Sequence, residues 1–422
     1  AMRNSPIARA RSLSWMSEKG RKAQMDTSIF DKVISRINTR SQKWDSLDTY
    51  RDGSVIPMWV ADMDFPIDRH ISDAIHLRAE HPIYGYVYDG NSIAESASRW
   101  MQVQHNWQVS PKDISFCPGI VPAISAAVQS FTEPGESVII QSPVYYPFSG
   151  TIKACGRVPV CNPLTEKNNA YSVNFEDLEQ KIEASKARLL ILCNPHNPVG
   201  RVFTAEELSK IADICLRHNV FIFSDEIHSD LIMKGHRHIP IASLSKENSQ
   251  HCMTGISPSK TFNLAGLQTA AVICENQERM NIFKTFLQKN AMNFPNTFGT
   301  EAFIAAYVHG EDYLHGLREY IGANYTFFKQ FMAERLPMLR YSPLQGTYLL
   351  WIDFRSLKMT DQELDDFIIE RAGLGLDSGH WFGEEGRGFM RMNIACPRKT
   401  LADALERLSN AVSELKEDKK DE

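Results

Sequence analysis

The chain has 422 residues, which suggests two or three compact domains of roughly 100–200 residues each and allows a large buried core. Its 46 Lys and Arg residues against 51 Asp and Glu residues give a formal charge of -5, so composition gives no support for a nucleic-acid-binding protein with a concentrated basic face. No apolar run approaches the roughly 20 residues of a membrane-spanning helix, and we expect neither nucleic acid nor a membrane as a partner.

The first residues form a basic leader, since residues 1–24 hold six Lys and Arg residues and one acid. The leader lacks the apolar stretch of a secretory signal. A nucleic-acid-binding arm and an organelle presequence are alternatives. We expect residues 1–26 to be a disordered leader.

The eight cysteines are scattered along the chain, and none forms a C-x-x-C pair. Several lie inside apolar runs, as Cys193 does at the end of LLILC. This usage is typical of buried, reduced thiols and predicts a cytoplasmic protein.

Short apolar runs alternate with helical patterns in the middle of the chain. Gly119 opens one helical pattern, whose first turn tolerates Pro122, and Thr204 and Glu207 form a capping box at the start of another. Apolar runs at 137–141, 188–193, 219–224, from Cys252 onwards and at 269–273 indicate strands. Such alternation predicts an α/β fold with a mostly parallel sheet sandwiched by helices.

The pattern changes after Asn281, where long helical segments precede strands at 346–354 and 389–395 and a last helix at about 400–415. This order predicts a small α+β domain. Beyond the leader we therefore expect three regions. They are an N-terminal segment that packs on the small domain (27–75), a large domain (76–310) and the small C-terminal domain (311–422).

Chemically reactive side chains follow three of the predicted strands, at the sheet edge where open α/β folds bind ligands. Lys260 could form a Schiff base, bind a phosphate or be a solvated surface lysine. Asp225 could cap a helix, bind a metal ion or pair with a cationic ring nitrogen. The loop at 194–200 could be only a rigid turn. The three loops occur in order at neighbouring strand ends, which favours a shared site.

Two other patterns are weaker. His228, His236 and His238 fit no zinc-binding spacing and have no cysteine beside them, so we expect no metal. GEEGRG at 383–388 lacks the strand-to-helix context of a dinucleotide-binding loop.

Pyridoxal phosphate is a cofactor that would use the three loops together. It needs a lysine such as Lys260 for its imine and an acid such as Asp225 to keep its ring nitrogen protonated. Tyr145 offers a ring that can stack on the pyridine. The phosphate needs a helix N-terminus and hydroxyl groups, for which the candidates are Gly119, Ile120, Val121, Ser257 and Ser259.

The ordered motifs NPHNPVG, SDEIH and SPSKTFNLAG resemble those of the aspartate-aminotransferase superfamily of pyridoxal-phosphate enzymes, fold type I. The resemblance extends from about Val55 to Arg398. The segments PMWVADMDFP, YGY, SKTFNLAGLQ and MRMNIACPR are similar to the MalY/PatB-type branch of cystathionine β-lyases, or C–S lyases. This resemblance implies an amino-acid substrate, a large and a small domain, and a homodimer with shared active sites.

The resemblance also implies roles for the residues that bind the cofactor. Lys260 would carry the Schiff base and move the substrate proton, Asp225 would pair with the ring N–H, and Tyr145 would stack on the ring. Asn197 would donate to the ring 3-oxygen. His228 stands where aminotransferases often have a tyrosine near that oxygen, although it could be an ordinary polar residue on a helical turn.

Further roles concern the substrate and the phosphate. Arg391 would bind the substrate carboxylate, joined by Asn197 and the backbone N–H of Ala61. Tyr86 would reach the phosphate of the neighbouring subunit, or it could be a core aromatic residue. Gln268 stands where many aminotransferases have an arginine, and this departure agrees with the C–S lyase branch.

These roles predict β-elimination from sulfur amino acids such as cystathionine or cysteine, which gives pyruvate, ammonia and a thiol. An aminotransferase would use the same Lys260, Asp225 and Arg391, so those residues do not separate the two reactions. An alternative of another class is a pyridoxal-phosphate-binding regulatory protein.

Overall fold

The computed structural model describes residues 26–421. The predicted disordered leader, residues 1–26, lies outside the described residues apart from Asp26. None of the helices between residues 26 and 421 combines the length and apolar character that crossing a membrane requires.

The strands are numbered in chain order. They are β1 (Ile56–Pro57), β2 (Ile114–Cys117), β3 (Ser137–Ile140), β4 (Val158–Cys161), β5 (Thr165–Lys167), β6 (Ala170–Ser172), β7 (Leu189–Cys193), β8 (Phe221–Asp225), β9 (Cys252–Ile256), β10 (Ala270–Ile273), β11 (Arg340–Tyr341), β12 (Leu349–Asp353), β13 (Leu374–Gly375), β14 (Asp377–Ser378) and β15 (Phe389–Asn393). The seven predicted strands correspond to β3, β7, β8, β9, β10, β12 and β15 and agree with them to within three residues at each given end. The other eight strands were not predicted.

Helices of eight residues or more are also numbered in chain order. They are α1 (Arg69–Glu80), α2 (Ser92–His105), α3 (Ile120–Phe131), α4 (Pro147–Ala154), α5 (Phe175–Ser185), α6 (Ala205–Arg217), α7 (Gln277–Lys289), α8 (Thr297–His309), α9 (Glu311–Arg335) and α10 (Arg398–Asp421). Shorter α-helices lie at Gln42–Asp45, Asp48–Arg51, Lys246–Gln250, Pro258–Thr261 and Asp361–Asp366. The predicted capping box at Thr204 and Glu207 starts α6.

The central sheet has seven strands in the order β2-β10-β9-β8-β7-β3-β4. Within this order the five adjacent strands β9, β8, β7, β3 and β4 run parallel to one another, as predicted. The exception is β10, which is antiparallel to both β2 and β9. The connection from β9 to β10 holds only a one-turn helix and a 3-10 turn, so it lacks the long helix with which a parallel crossover usually returns the chain.

Both faces of this sheet are buried under helices. Alternate residues of β7 enter two separate apolar clusters, because successive side chains of a strand point to opposite faces. Helix α3 contributes to one cluster through Ala123 and Ile124, and α6 contributes to the other through Leu208 and Ile211. The all-apolar strands of the sequence are thus explained by burial on two sides.

A second sheet of four antiparallel strands, in the order β11-β12-β15-β14, lies near the end of the chain. Strand β1 pairs with β13 in parallel, with Ile56 opposite Leu374, so the N-terminal part of the chain is bonded to the C-terminal part. The predicted domain boundaries at residues 75 and 310 stay predictions.

Candidate active site

The three predicted loops meet at the carboxyl ends of β7, β8 and β9, around a cavity of about 330 Å³. Strand β8 ends at Asp225, and β9 is followed directly by Ser257. Every residue predicted for the site except Arg391 and Tyr86 lines this cavity; these are Ala61, Gly119, Ile120, Val121, Tyr145, Asn197, Asp225, His228, Ser257, Ser259 and Lys260.

Lys260 lies in the short helix Pro258–Thr261, and its Nζ donates a hydrogen bond to the carbonyl oxygen of Ala61 at 2.8 Å. Burial and the positive charge of Arg391 lower the pKa of Lys260 to about 8. The lysine is therefore closer to a neutral amine than a solvated lysine is, and a neutral amine can act as a nucleophile or a base.

Asp225 is buried at the end of β8, where one carboxylate oxygen accepts a hydrogen bond from the N–H of Ile227 at 3.1 Å. Burial raises the pKa of Asp225 to about 7, against the opposing effects of that hydrogen bond and of Lys260. A cationic ring nitrogen bound beside it would stabilise the ionised carboxylate.

His228 is 3% exposed, and its Nδ1 has no hydrogen-bond partner among the residues described. Burial lowers the pKa of His228 well below its ordinary value, with Lys260 and Arg391 adding to the effect, so the imidazole is neutral. Its ring packs edge-on against Tyr348, with the ring centroids 5.9 Å apart. A buried polar nitrogen that lacks a partner beside a cavity fits a ligand that supplies the missing hydrogen bond.

The end of the cavity at α3 suits an anion. Gly119 precedes this helix with a φ of 116°, and no side chain caps the helix, so its first N–H groups are open to a ligand. A Cβ at Gly119 would lie 3.4 Å from the ring of Pro122 in a backbone conformation that other residues rarely adopt. Ser257 Oγ lies 2.9 Å from Ser259 Oγ. These groups fit a phosphate.

Arg391 lies in β15 and reaches the site through Asn197, to whose Oδ1 its Nη1 donates at 2.9 Å. Its Nη2 donates to the carbonyl oxygen of Trp59 at 3.1 Å and is bonded to the carboxylate of Asp377, and its Nε has no partner among the described residues. Asp377 is buried directly opposite Arg391 in β14. Sequence reasoning missed Asp377, since only the strand pairing relates the two residues.

Asp230 is a second buried acid that sequence reasoning left without a role. Its carboxylate accepts hydrogen bonds from Trp100 Nε1 at 3.1 Å and Thr261 Oγ1 at 2.9 Å, and it lies 2.9 Å from His105 Nε2. Thr261 follows Lys260 directly, so this cluster holds the helical turn that carries the lysine. The signal in the sequence was the third and last acid of the motif SDEIHSD.

Two of the predicted site residues, Ala61 and Tyr86, have surroundings that the sequence did not predict. The carbonyl oxygen of Ala61 accepts hydrogen bonds from Lys260 and, at 2.9 Å, from Tyr348 Oη, contacts that the sequence did not suggest. Tyr86 is 98% exposed and lies near Phe294, away from the cavity of its own chain, so it is not a core aromatic residue.

The pKa of Asp225 leads to a prediction about the cofactor-free protein. The folded chain keeps the Asp225 proton up to about pH 7, whereas the unfolded chain loses it near pH 4, so stability falls between these values as pH rises. Replacement of Asp225 by asparagine removes this loss. We expect the free energy of unfolding of Asp225→Asn to exceed that of the wild type by an amount that grows by up to about 1.4 kcal/mol per pH unit in this window.

Urea unfolding of the cofactor-free proteins at pH 4.5, 6 and 7.5 measures this difference. Asp213 is an exposed acid on α6 and provides the matched control. For Asp213→Asn, the difference in free energy of unfolding from the wild type should not change with pH. A flat result for Asp225→Asn would contradict the raised pKa.

Known proteins are similar to this chain in sequence. The family model of class I and II aminotransferases matches residues 73–408. The chain is 42% identical over 385 residues to cystathionine beta-lyase PatB of Bacillus subtilis (strain 168), covering 91% of this chain and 100% of the relative. It is 31% identical over 386 residues to protein MalY of Escherichia coli (strain K12), covering 91% and 98%.

Solved structures share the fold. Cystalysin from Treponema denticola, whose crystal structure contains pyridoxal 5'-phosphate, matches with a TM-score of 0.88 at 35% identity and covers 92% of this chain and 99% of that chain. The pyridoxal-phosphate-bound C–S lyase from Staphylococcus hominis matches with a TM-score of 0.85 at 30% identity and covers 91% and 99%. The chain belongs to the class I and II aminotransferase family, and the predicted fold type I architecture is confirmed.

Proposed function

We propose that this chain is a pyridoxal-phosphate-dependent carbon–sulfur lyase. It would eliminate the thiol from the β-carbon of a sulfur amino acid such as cystathionine or cysteine and give pyruvate and ammonia. The observation that carries the proposal is one cavity that joins Lys260, Asp225 and the unpartnered His228 to an uncapped helix N-terminus. The similarity to cystathionine beta-lyase PatB supports the choice of a lyase.

The residues of the cavity fit pyridoxal phosphate, which supplies, when bound, an electron sink for the pair of electrons left on the substrate Cα. Asp225 would hold the proton of the ring nitrogen, and Tyr145 would pack on the ring face. Asn197 and the neutral His228 would hydrogen-bond the ring 3-oxygen. The phosphate would be bound by the backbone N–H groups and hydroxyls of Gly119, Ile120, Val121, Ser257 and Ser259.

The substrate would be held at its carboxylate by Arg391, by Asn197 and by the backbone N–H of Ala61. Lys260, with its pKa lowered to about 8, would accept the proton from Cα as a neutral amine. The electron pair released at Cα then forms the Cα–Cβ double bond as the Cβ–S bond breaks and the thiolate leaves. Hydrolysis of the resulting enamine gives pyruvate and ammonia.

An acceptor-free assay tests the reaction type. The purified chain, loaded with pyridoxal phosphate, is incubated with cystathionine and no 2-oxo acid, and pyruvate and free thiol are measured together. A lyase forms both in equal amounts over many turnovers. Turnover that requires 2-oxoglutarate would identify an aminotransferase instead. A protein with neither activity would support the regulatory alternative.

Tyr86 supports a homodimer with shared sites as part of this proposal. It lies among other exposed aromatic residues, where Tyr84 is 55%, Tyr88 93% and Phe294 63% exposed. Exposed aromatic side chains grouped in this way are typical of protein–protein contact surfaces. A second copy covering these side chains would bring Tyr86 to the phosphate of the neighbouring cavity.

Replacement of Tyr86 by phenylalanine is therefore expected to weaken pyridoxal phosphate binding about 10- to 100-fold, because one hydrogen bond to a charged group is lost. Fluorescence titration of the cofactor-free protein measures the affinity, and Tyr88→Phe is the matched exposed control. Dimers mixed from Tyr86→Ala and Lys260→Ala subunits should regain activity, since one of their two sites is intact. No recovery in mixed dimers would contradict shared sites.

The amino-acid substrate and the cysteines together suggest the cytoplasm. All eight cysteines are free, and six of them are buried. Burial raises the pKa of Cys117 and Cys215, which keeps these thiols protonated and unreactive. Reduced cysteines of this kind support a reducing compartment.

A further inference from the structure

A second cleft, of about 770 Å³, lies between the chain segment 229–238 and helix α9 and contains none of the residues predicted for the active site. Its wall carries the cations Lys234, Arg237 and Arg318 against one acid, Glu319. His236 and His315 also line the cleft. The cleft is thus strongly electropositive on a chain whose net charge is negative.

Arg318 lies at the inner wall of this cleft. Its Nε donates to the backbone carbonyl oxygen of Asp230 at 2.5 Å, whereas its two terminal nitrogens have no hydrogen-bond acceptor among residues 26–421. Burial lowers the pKa of Arg318, against the attraction of Asp230, so its charge is held at a cost in desolvation. An anion in the cleft would supply the acceptors that this guanidinium lacks.

The other cations of the cleft also lack partners. The side chains of Lys234, His236 and Arg237 are exposed and make no hydrogen bond or ion pair within the described part of the chain. The one acid among the lining residues is Glu319, and its carboxylate lies 3.7 Å from His315. Below the surface, His105 and His238 already pair with Asp230 and Glu226.

We propose that this cleft binds a small polyanion that carries phosphate groups. A guanidinium matches two phosphate oxygens at once, and the two exposed cations on the opposite segment can reach further oxygens of the same ligand. The volume lies within the range of small-molecule sites and exceeds what one inorganic phosphate fills. This cluster of positive charge is confined to the cleft on a chain whose net charge is -5, which favours a small ligand over a long nucleic acid that would need an extended basic face.

Tripolyphosphate titrated calorimetrically into the pyridoxal-phosphate-loaded protein tests this proposal. Loading the protein first occupies the phosphate donors of the active site. We expect one saturable event per chain that weakens as sodium chloride is raised. Arg237→Gln and Lys234→Gln should each weaken binding about tenfold or more, because a charge-assisted hydrogen bond is lost.

Arg318→Gln should weaken tripolyphosphate binding at least as much, and circular dichroism checks that this variant folds without its bond to Asp230. If Arg318→Gln does not fold, the variants at the exposed residues Lys234 and Arg237 still test the proposal. Arg69→Gln is the matched control, because Arg69 is an 82% exposed arginine that does not line the cleft, and the affinity of this variant for tripolyphosphate should be unchanged.

Three results would overturn the proposal. They are the absence of saturable binding, equal weakening by Arg69→Gln, and binding of citrate as tight as that of tripolyphosphate. The titration measures no turnover, so its failure is distinguishable from failure of the proposed lyase reaction.

Discussion

Replacement of Lys260 by alanine is expected to lower turnover of cystathionine by about 10²–10⁴-fold or more, because the proposed acceptor of the Cα proton is lost. The same change should also remove the proposed covalent attachment of the cofactor. Lys260 is held by its hydrogen bond to Ala61 and by the turn that Asp230 anchors through Thr261, so the amine is fixed in place before the substrate binds. Steady-state pyruvate release measures the loss.

Borohydride reduction followed by peptide mass spectrometry locates the attachment independently of activity. Wild-type protein should carry the reduced cofactor on Lys260, and Lys260→Ala should carry none. Lys246→Ala is a matched control, because Lys246 is a 78% exposed lysine that pairs with Glu275 at the surface. Full activity in Lys260→Ala, or attachment at another lysine, would contradict the assigned role.

Replacement of Arg391 by alanine is expected to affect both the substrate and the fold. The substrate would lose the proposed charge-assisted contact to its carboxylate, which should raise KM about 10- to 100-fold. The buried Asp377 loses its cationic partner, and removing one member of a buried pair lowers the free energy of unfolding by about 3–5 kcal/mol. Both effects arise because one guanidinium, that of Arg391, bonds to both Asn197 and Asp377.

The two effects of Arg391 can be separated. A double variant, Arg391→Leu with Asp377→Leu, removes both charges and should recover most of the stability, since apolar residues often replace a buried ion pair without loss. Its KM should stay high. The control Arg387→Ala removes an exposed arginine that pairs with Glu384 and Asp361 and should leave stability close to that of the wild type.

Asp377 should also make the stability lost by Arg391→Ala depend on pH. Burial raises the pKa of Asp377 and Arg391 lowers it, so the single variant leaves a carboxyl group that prefers to be protonated. The stability lost by Arg391→Ala should therefore be smaller at pH 5 than at pH 8. Equal losses at both pH values would contradict a charged, buried Asp377.

The sequence alone predicted five of the seven strands of the central sheet and most of the residues that line the cavity. Runs such as LLILC and the FIF at the start of β8 are apolar on both faces because their strands lie between helices, and this composition is local information. The rule that parallel strands end at one edge of the sheet then places Asn197, Asp225 and Lys260 together. The direction of β10 was outside this reasoning, since an apolar run has no direction.

Only the tertiary structure decided which partners hold these residues. Asp377 meets Arg391 because β14 pairs with β15, and Asp230 collects Trp100, His105 and Thr261 from three distant segments. Hydrogen-bond partners of buried polar groups are set by strand register and packing across the chain, which no local pattern records. A motif thus identifies a reactive group, whereas its pKa and orientation depend on contacts that form only when the chain folds.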